Sequence, residues 1–288
     1  MCASKRISPL SKTTLDTKHI LREIRLMRWL GARHENILTL KDLYLHPGHD
    51  EIYLVLPLFD TDLHRVIQSK QKLSPAHVAH FMKQILRGID FIHRAGVLHR
   101  DLKPGNLLVN RDCHLVLADF GLARVKEARE NRPMTHHVVT RWYRPPELIL
   151  NPDGIYGTAV DVWSVGCIFA ELMGRKPLFP GKDQVDQLTL IIQCLGSPDR
   201  SQIGHIRNSD GRRFLNSLPW YPQKKFCDIF KKASDDAIEL LDAFLKFEPD
   251  SRISVQKALN HSYFSSSSSN KKFTKQEGVV SPPSPEYM

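Results

Sequence analysis

The stretch Val97–Gly121, VLHRDLKPGNLLVNRDCHLVLADFG, limits what this chain can fold into more than any other. Two short apolar runs, Leu107-Leu108-Val109 and His114-Leu115-Val116-Leu117, flank the polar, turn-forming Asn110-Arg111-Asp112-Cys113. The pattern predicts a tight hairpin, which returns the loop after it to the side of the loop before it. Asp101, Lys103 and Asn106 stand on the first loop and Asp119 on the second. Two carboxylates, an amide and an ammonium are thereby expected near one point. Such a set suits phosphoryl transfer, in which a protein mainly positions the reactants and neutralises phosphate charge. Asp101 is expected to accept the proton of an attacking hydroxyl and Lys103 to sit by the transferred group. Asn106 and Asp119 offer hard oxygen ligands to Mg²⁺ that also holds the phosphates of ATP.

The rest of the chain has room for such a site. Its 288 residues are enough for one large domain or two lobes, and 41% hydrophobic with 25% charged residues is ordinary for a water-soluble protein. No apolar run of membrane-spanning length occurs, and MCASKRISPL has no signal core, so neither a membrane nor a secreted setting is expected. The five cysteines are scattered without paired spacing, as in reduced thiols of the cytosol or nucleus. The net charge of +10 is dispersed and no aromatic-interleaved basic stripe accompanies it, so no nucleic-acid partner is expected.

Elements can be read along the chain. Residues 17–30 place Ile20, Ile24 and Met27 at helical spacing. Leu38-Thr39-Leu40 and Glu51–Leu56 read as strands about a His46-Pro47-Gly48 turn, where His46 and His49 read as turn residues. Ser74-Pro75 opens a helix with an apolar stripe from Val78 to Ile92, which Gly96 can end. Residues 161–172 are apolar on nearly every side, as in a buried helix. Ser234-Asp235 caps a helix carrying Ile238, Leu241 and Leu245, and Ser254 opens the final one.

His99-Arg100-Asp101-Leu102 with Asn106, followed by Asp119-Phe120-Gly121, resembles the catalytic and metal-binding loops of eukaryotic protein kinases. The run from Thr135 through Thr140-Arg141-Trp142-Tyr143-Arg144 to Glu147, and residues 183–232, resemble the mitogen-activated protein kinases in particular. The resemblance implies an α+β, two-lobed kinase-like fold with a small β lobe and a mostly helical large lobe. It divides the chain into a small lobe and hinge at 1–60, a large lobe at 61–264 and a disordered Ser/Pro tail at 265–288. It implies ATP and Mg²⁺ as cofactors, protein substrates with Ser/Thr-Pro sites, an upstream activating kinase, a monomer, and location in cytoplasm and nucleus. Lys5 would anchor the ATP phosphates and Glu23 would hold that lysine. Leu56 would back the adenine pocket, Pro57-Leu58-Phe59-Asp60 would form the hinge, Asp62 would lie near the ribose, and Leu108 would complete the nucleotide set. Thr135 would be the activating phosphosite, clamped by Arg22, Arg100 and Arg124; Glu147 would pair with Arg252.

The sequence also departs from that pattern. No glycine-rich phosphate lid precedes Lys5, so the small lobe is expected to be truncated and ATP binding weakened. Thr135-His136-His137 stands where the family has Thr-x-Tyr. These departures leave open a second reading, a catalytically weak kinase-like interaction protein.

Overall fold

The computed structural model describes residues 1–9, 14–125, 140–151, 156–199, 201, 203–204 and 206–265. They gather into two compact units, one of the described parts of Met1–Gln71 and His80–Ala128, the other of Lys72–Ala79 with the described part of Arg129–Ser269.

The first unit is organised by β3 (Ile52–Pro57), which lies between β1 (Cys2–Ile7) and β2 (Asp42–Leu45) in an antiparallel sheet. Its register sets Lys5 opposite Leu54, and Tyr44 opposite Tyr53. Alternation in β3 buries Ile52 and Leu54. The helix α1 runs over Thr14–Gly31, longer than the apolar spacing predicts. Its buried face is Glu23, Leu26, Met27 and Leu30 with Trp29; Ile20 and Ile24 are only half-buried.

Leu38-Thr39-Leu40 is not a strand, and the partner of β3 lies further on, at β2. The backbone explains the difference. The Leu38 N–H donates to the Leu117 carbonyl at 2.9 Å, so this segment pairs with the hairpin instead of the first sheet. The β2 strand hides its identity because two of its apolar side chains, Tyr44 and Leu45, face solvent.

The predicted hairpin is present as β6 (Leu107–Val109) and β7 (Leu115–Leu117), with Asn110 and His114 closing its turn at 3.0 Å. β4 (Thr61–Asp62) adds a third strand, and α2 (Leu63–Gln68) follows it directly. The outer edge of β7 is also satisfied. The Leu117 N–H donates to the Asn36 carbonyl at 2.9 Å, and the Leu115 N–H donates to Gln84 Oε1 at 2.8 Å. Gln84 lies on α3 (Pro75–Arg94), whose apolar stripe of Val78, Phe81, Met82, Ile85, Ile89 and Ile92 is buried. These bonds group the hairpin with residues 36–38 in one unit, although the division at residue 60 sets them in separate lobes. β5 (Val97–Leu98) pairs with β8 (Arg124–Val125) and frames the loops of the hairpin.

Besides the start of α3 and a 3-10 turn at Pro249–Ser251, the described elements of the second unit are the helices α4 (Pro146–Leu150), α5 (Ala159–Gly174), α6 (Gln184–Leu195), α7 (Ser209–Ser217), α8 (Phe226–Ile229), α9 (Asp235–Phe244), α10 (Val255–Leu259) and α11 (Ser262–Ser265). α5 is buried from Val160 to Leu172, as its composition predicts. It approaches α9 at Gly166, where a Cβ would fall 2.7 Å from that of Phe244. Ser234 caps α9 and Ser254 caps α10, each accepting a backbone N–H at 3.3 Å. α10 is not the last helix, because α11 follows and takes in Ser265, the first residue assigned to the tail. Glu147 and Arg252 meet in this unit as a bidentate pair at 2.6 and 2.7 Å.

Candidate active site

The first loop leaves β5 and ends in a 3-10 turn at Pro104–Asn106. Two side chains converge there on Asp101. Lys103 Nζ donates to Asp101 Oδ2 at 2.7 Å, and Asn106 Nδ2 donates to the same oxygen at 3.0 Å and to the Asp101 carbonyl at 2.9 Å. Because Nδ2 is engaged on this side, the amide is oriented and its oxygen is directed away as a hard donor. Among the described residues both donors use Oδ2, which leaves Oδ1 to receive a proton.

The second loop is fastened to the first through Ala118. Its N–H donates to the Asn106 carbonyl at 2.9 Å, and its carbonyl lies 3.0 Å from His99 Nε2. His99 Nδ1 accepts the Asp101 N–H at 3.4 Å. The network therefore assigns one tautomer, with the ring proton on Nε2. The imidazole is fully buried, 5.1 Å from the buried ring of Phe120. It thus fixes Asp101 to the residue before Asp119, a role the sequence reading did not give it; the only signal was its place in the motif.

Arg100 and Asp119 have φ of 69° and 64°. A non-glycine residue held there stores roughly 1–3 kcal/mol of strain, which persists where surrounding bonds over-determine it. Here the two strained residues flank the carboxylates: one precedes Asp101, the other is Asp119 itself. Gly121 N donates to Asp119 Oδ1 at 3.4 Å. The donor set, Asn106 amide oxygen plus Asp119 carboxylate, fits a hard divalent cation such as Mg²⁺ better than a thiophilic metal.

Lys5 on β1 and Glu23 on α1 form an ion pair at 2.8 Å; the glutamate side chain is 9% exposed and the lysine 46%. The glutamate is thus a fixed, buried anchor and the ammonium remains open to an anionic ligand. Leu56 and Pro57 lie at the end of β3, opposite Ala3 and Cys2. Phe59 stacks with His114, ring centroids 6.4 Å apart. Next to it Asp60 binds the hairpin turn, accepting the Arg111 N–H at 3.0 Å. Asp62 pairs across the strands with Leu108, and its carboxylate caps α2 by accepting the Arg65 N–H at 2.9 Å.

Of the regulatory set, Arg22 on α1 and Arg100 on the first loop are half-buried. Thr135 and the Arg124 side chain lie outside the described residues, as do residues 266–288.

Strained paired carboxylate loops on a hairpin, with a lysine–glutamate pair between a strand and a helix, define the protein kinase domain. Residues 1–264 match the protein kinase domain family. The chain is 50% identical over 268 residues to Extracellular signal-regulated kinase 1 of Dictyostelium discoideum, covering 92% of this chain and 50% of that protein. It is 47% identical over 266 residues to Mitogen-activated protein kinase 3 of Arabidopsis thaliana, covering 91% of this chain and 70% of the relative. Similarity to Mitogen-activated protein kinase 5 of Oryza sativa subsp. indica is also 47%, over 266 residues, 91% of this chain and 71% of the relative. The chain thus spans from half to about 70% of the length of these relatives. It belongs to the mitogen-activated protein kinase family, whose members are serine/threonine protein kinases that use ATP and Mg²⁺.

Proposed function

We propose that this chain transfers the γ-phosphoryl group of ATP to Ser or Thr of protein substrates, at sites followed by Pro. The observation that carries the reading is the Asp101 carboxylate, held on Oδ2 by Lys103 and Asn106, with Oδ1 taking no donor among the described residues. Asp101 orients the substrate hydroxyl and takes its proton as the oxygen–phosphorus bond forms and ADP leaves. Lys103 offsets charge at the transferred group. Asn106 and Asp119 would hold Mg²⁺, which when bound neutralises charge on the phosphates. Lys5, anchored by Glu23, would steady the α- and β-phosphates, while Leu56, Pro57, Phe59, Asp62 and Leu108 would receive the nucleoside. An upstream kinase would act at Thr135, with Arg22, Arg100 and Arg124 receiving the phosphate. The protein would work as a monomer in cytoplasm and nucleus; its five free thiols fit a reducing compartment.

The test is Mg²⁺-dependent transfer of labelled γ-phosphate to a Ser/Thr-Pro protein, with and without prior treatment by an activating kinase. Label on the Ser or Thr before Pro is expected, and its loss in Asp119→Asn. A folded protein that labels nothing in either state would overturn the reading.

A further inference from the structure

Residues 140–145 adopt no helix or strand; a turn closes where the Arg144 N–H meets the Arg141 carbonyl at 3.0 Å. The shape of this segment must therefore come from outside it. Trp142 forms a closed circuit with two residues distant from it in sequence, Gly181 and Gln187. Its indole Nε1–H donates to the Gly181 carbonyl at 3.1 Å. The Gly181 N–H donates to Gln187 Oε1 at 3.1 Å, and Gln187 Nε2 donates back to the Trp142 carbonyl at 3.3 Å. Each member gives one hydrogen bond and takes one.

Gln187 lies in the first turn of α6 with no exposed surface. A buried amide is unfavourable unless both its ends are satisfied, and here both are satisfied by backbone groups of other loops. Gly181 is shaped to the same contact, since a Cβ there would lie 2.5 Å from Gln187 Cα and 2.6 Å from Oε1. The neighbours repeat the pattern. Arg141 Nη1 donates to the Lys182 carbonyl at 2.8 Å, and the Lys182 N–H donates to Asp186 Oδ2 at 2.8 Å. Tyr143 is pinned by a hydroxyl bond to Glu171 Oε2 at 2.7 Å and by Ser164 Oγ donating to its carbonyl at 2.8 Å.

We propose that Gln187 is a positioning residue for protein substrate: through the circuit it holds the Trp142 backbone in the form that receives the substrate chain. This rests on the kinase reading above and on the resemblance to protein kinases, which implies that the segment from Asp119 to Glu147 orders the substrate site. Among the described residues the bonds of the circuit involve none of the groups assigned to nucleotide, so it should act on one substrate and not on the other.

The test compares the full chain with Gln187→Leu and Trp142→Phe, measuring KM for a Ser/Thr-Pro protein and for ATP, with affinity for the same substrate by fluorescence anisotropy. Both variants are expected to raise KM for the protein about tenfold to a hundredfold, the scale of a misplaced reactant, and to leave KM for ATP within about twofold. The double variant should be no worse than the poorer single one, because either change opens the same circuit. Trp142→Phe keeps the ring and tests the circuit should Gln187→Leu fail to fold. Unchanged protein affinity in the variants, a parallel rise in both KM values, or fully additive effects would overturn the proposal. A wild-type chain that binds the substrate but transfers no phosphate would refute the kinase reading instead.

Discussion

The ion pair between Arg252 and Glu147 predicts a large loss from a single truncation. The two side chains are 1% and 5% exposed. The guanidinium uses every donor: two bonds to the Glu147 carboxylate at 2.6 and 2.7 Å, and one each to the carbonyls of Lys246, Ala159 and Phe247 at 2.9, 2.9 and 3.2 Å. It also lies 5.0 Å over the Trp163 ring. Arg252→Met keeps an apolar stem against that ring but leaves Glu147 buried without a counter-charge, a loss of about 3–5 kcal/mol. At roughly 2 °C per kcal/mol for a chain of this size, Tm should fall by about 6–10 °C. Glu147→Leu combined with Arg252→Met removes both charges. It should recover part of the loss, the remainder reflecting three carbonyls left without the guanidinium. Urea unfolding followed by tryptophan fluorescence, run on both single variants and the double, measures the coupling. A loss under about 1 kcal/mol in Arg252→Met, or additivity in the double, would refute the argument from uncompensated buried charge.

Other consequences are local. Cys113 sits in the hairpin turn at φ 63°, so Cys113→Gly, which keeps the carbonyl that Gln84 binds at 2.9 Å, should stabilise the fold by about 0.5–1 kcal/mol in urea titration. The Arg6 guanidinium, and after it the Tyr53 hydroxyl, hold the Glu51 carboxyl down to about 2. A lowered acid contributes stability above its ordinary value of about 4.3 and loses it as pH falls toward 2, so carboxyl NMR of Arg6→Ala should show Glu51 titrating upward toward 4.3. Burial pushes Cys194 up to about 11, and burial with the nearby Glu171 carboxylate raises Cys167 well above the ordinary thiol value. Maleimide at neutral pH should therefore label exposed Cys2 and Cys227 first and these two only on unfolding, as mass spectrometry would read.

The parts of the site that were legible in the sequence are those whose chemistry demands fixed residue types a few positions apart. Asp101, Lys103 and Asn106 meet because a single turn spans them, and Asp119 returns because Asn110–Cys113 can only turn. Lys5 and Glu23 meet as the family resemblance implies. Elsewhere the determinants are distant in sequence. Apolar Leu38-Thr39-Leu40 suggested a strand, yet the Leu38 N–H is claimed by Leu117. β2 went unread because an edge strand can leave Tyr44 and Leu45 in water. The buried face of α1 turned from Ile20 and Ile24 toward Leu26 and Leu30, a choice made by what packs there and not by spacing alone. Nor does any local pattern announce that His99 joins two loops, or that Gln187 closes a circuit with Trp142.

On the proposed function, Asp101 is the base of a phosphoryl-transfer site. Its most direct test is the steady-state rate of transfer to a Ser/Thr-Pro protein by the wild-type chain and by Asp101→Asn, at saturating ATP and Mg²⁺, with nucleotide affinity measured alongside. A fall in kcat of about 10²–10⁴-fold is expected, with nucleotide affinity unchanged. Equal kcat in the two proteins would contradict it.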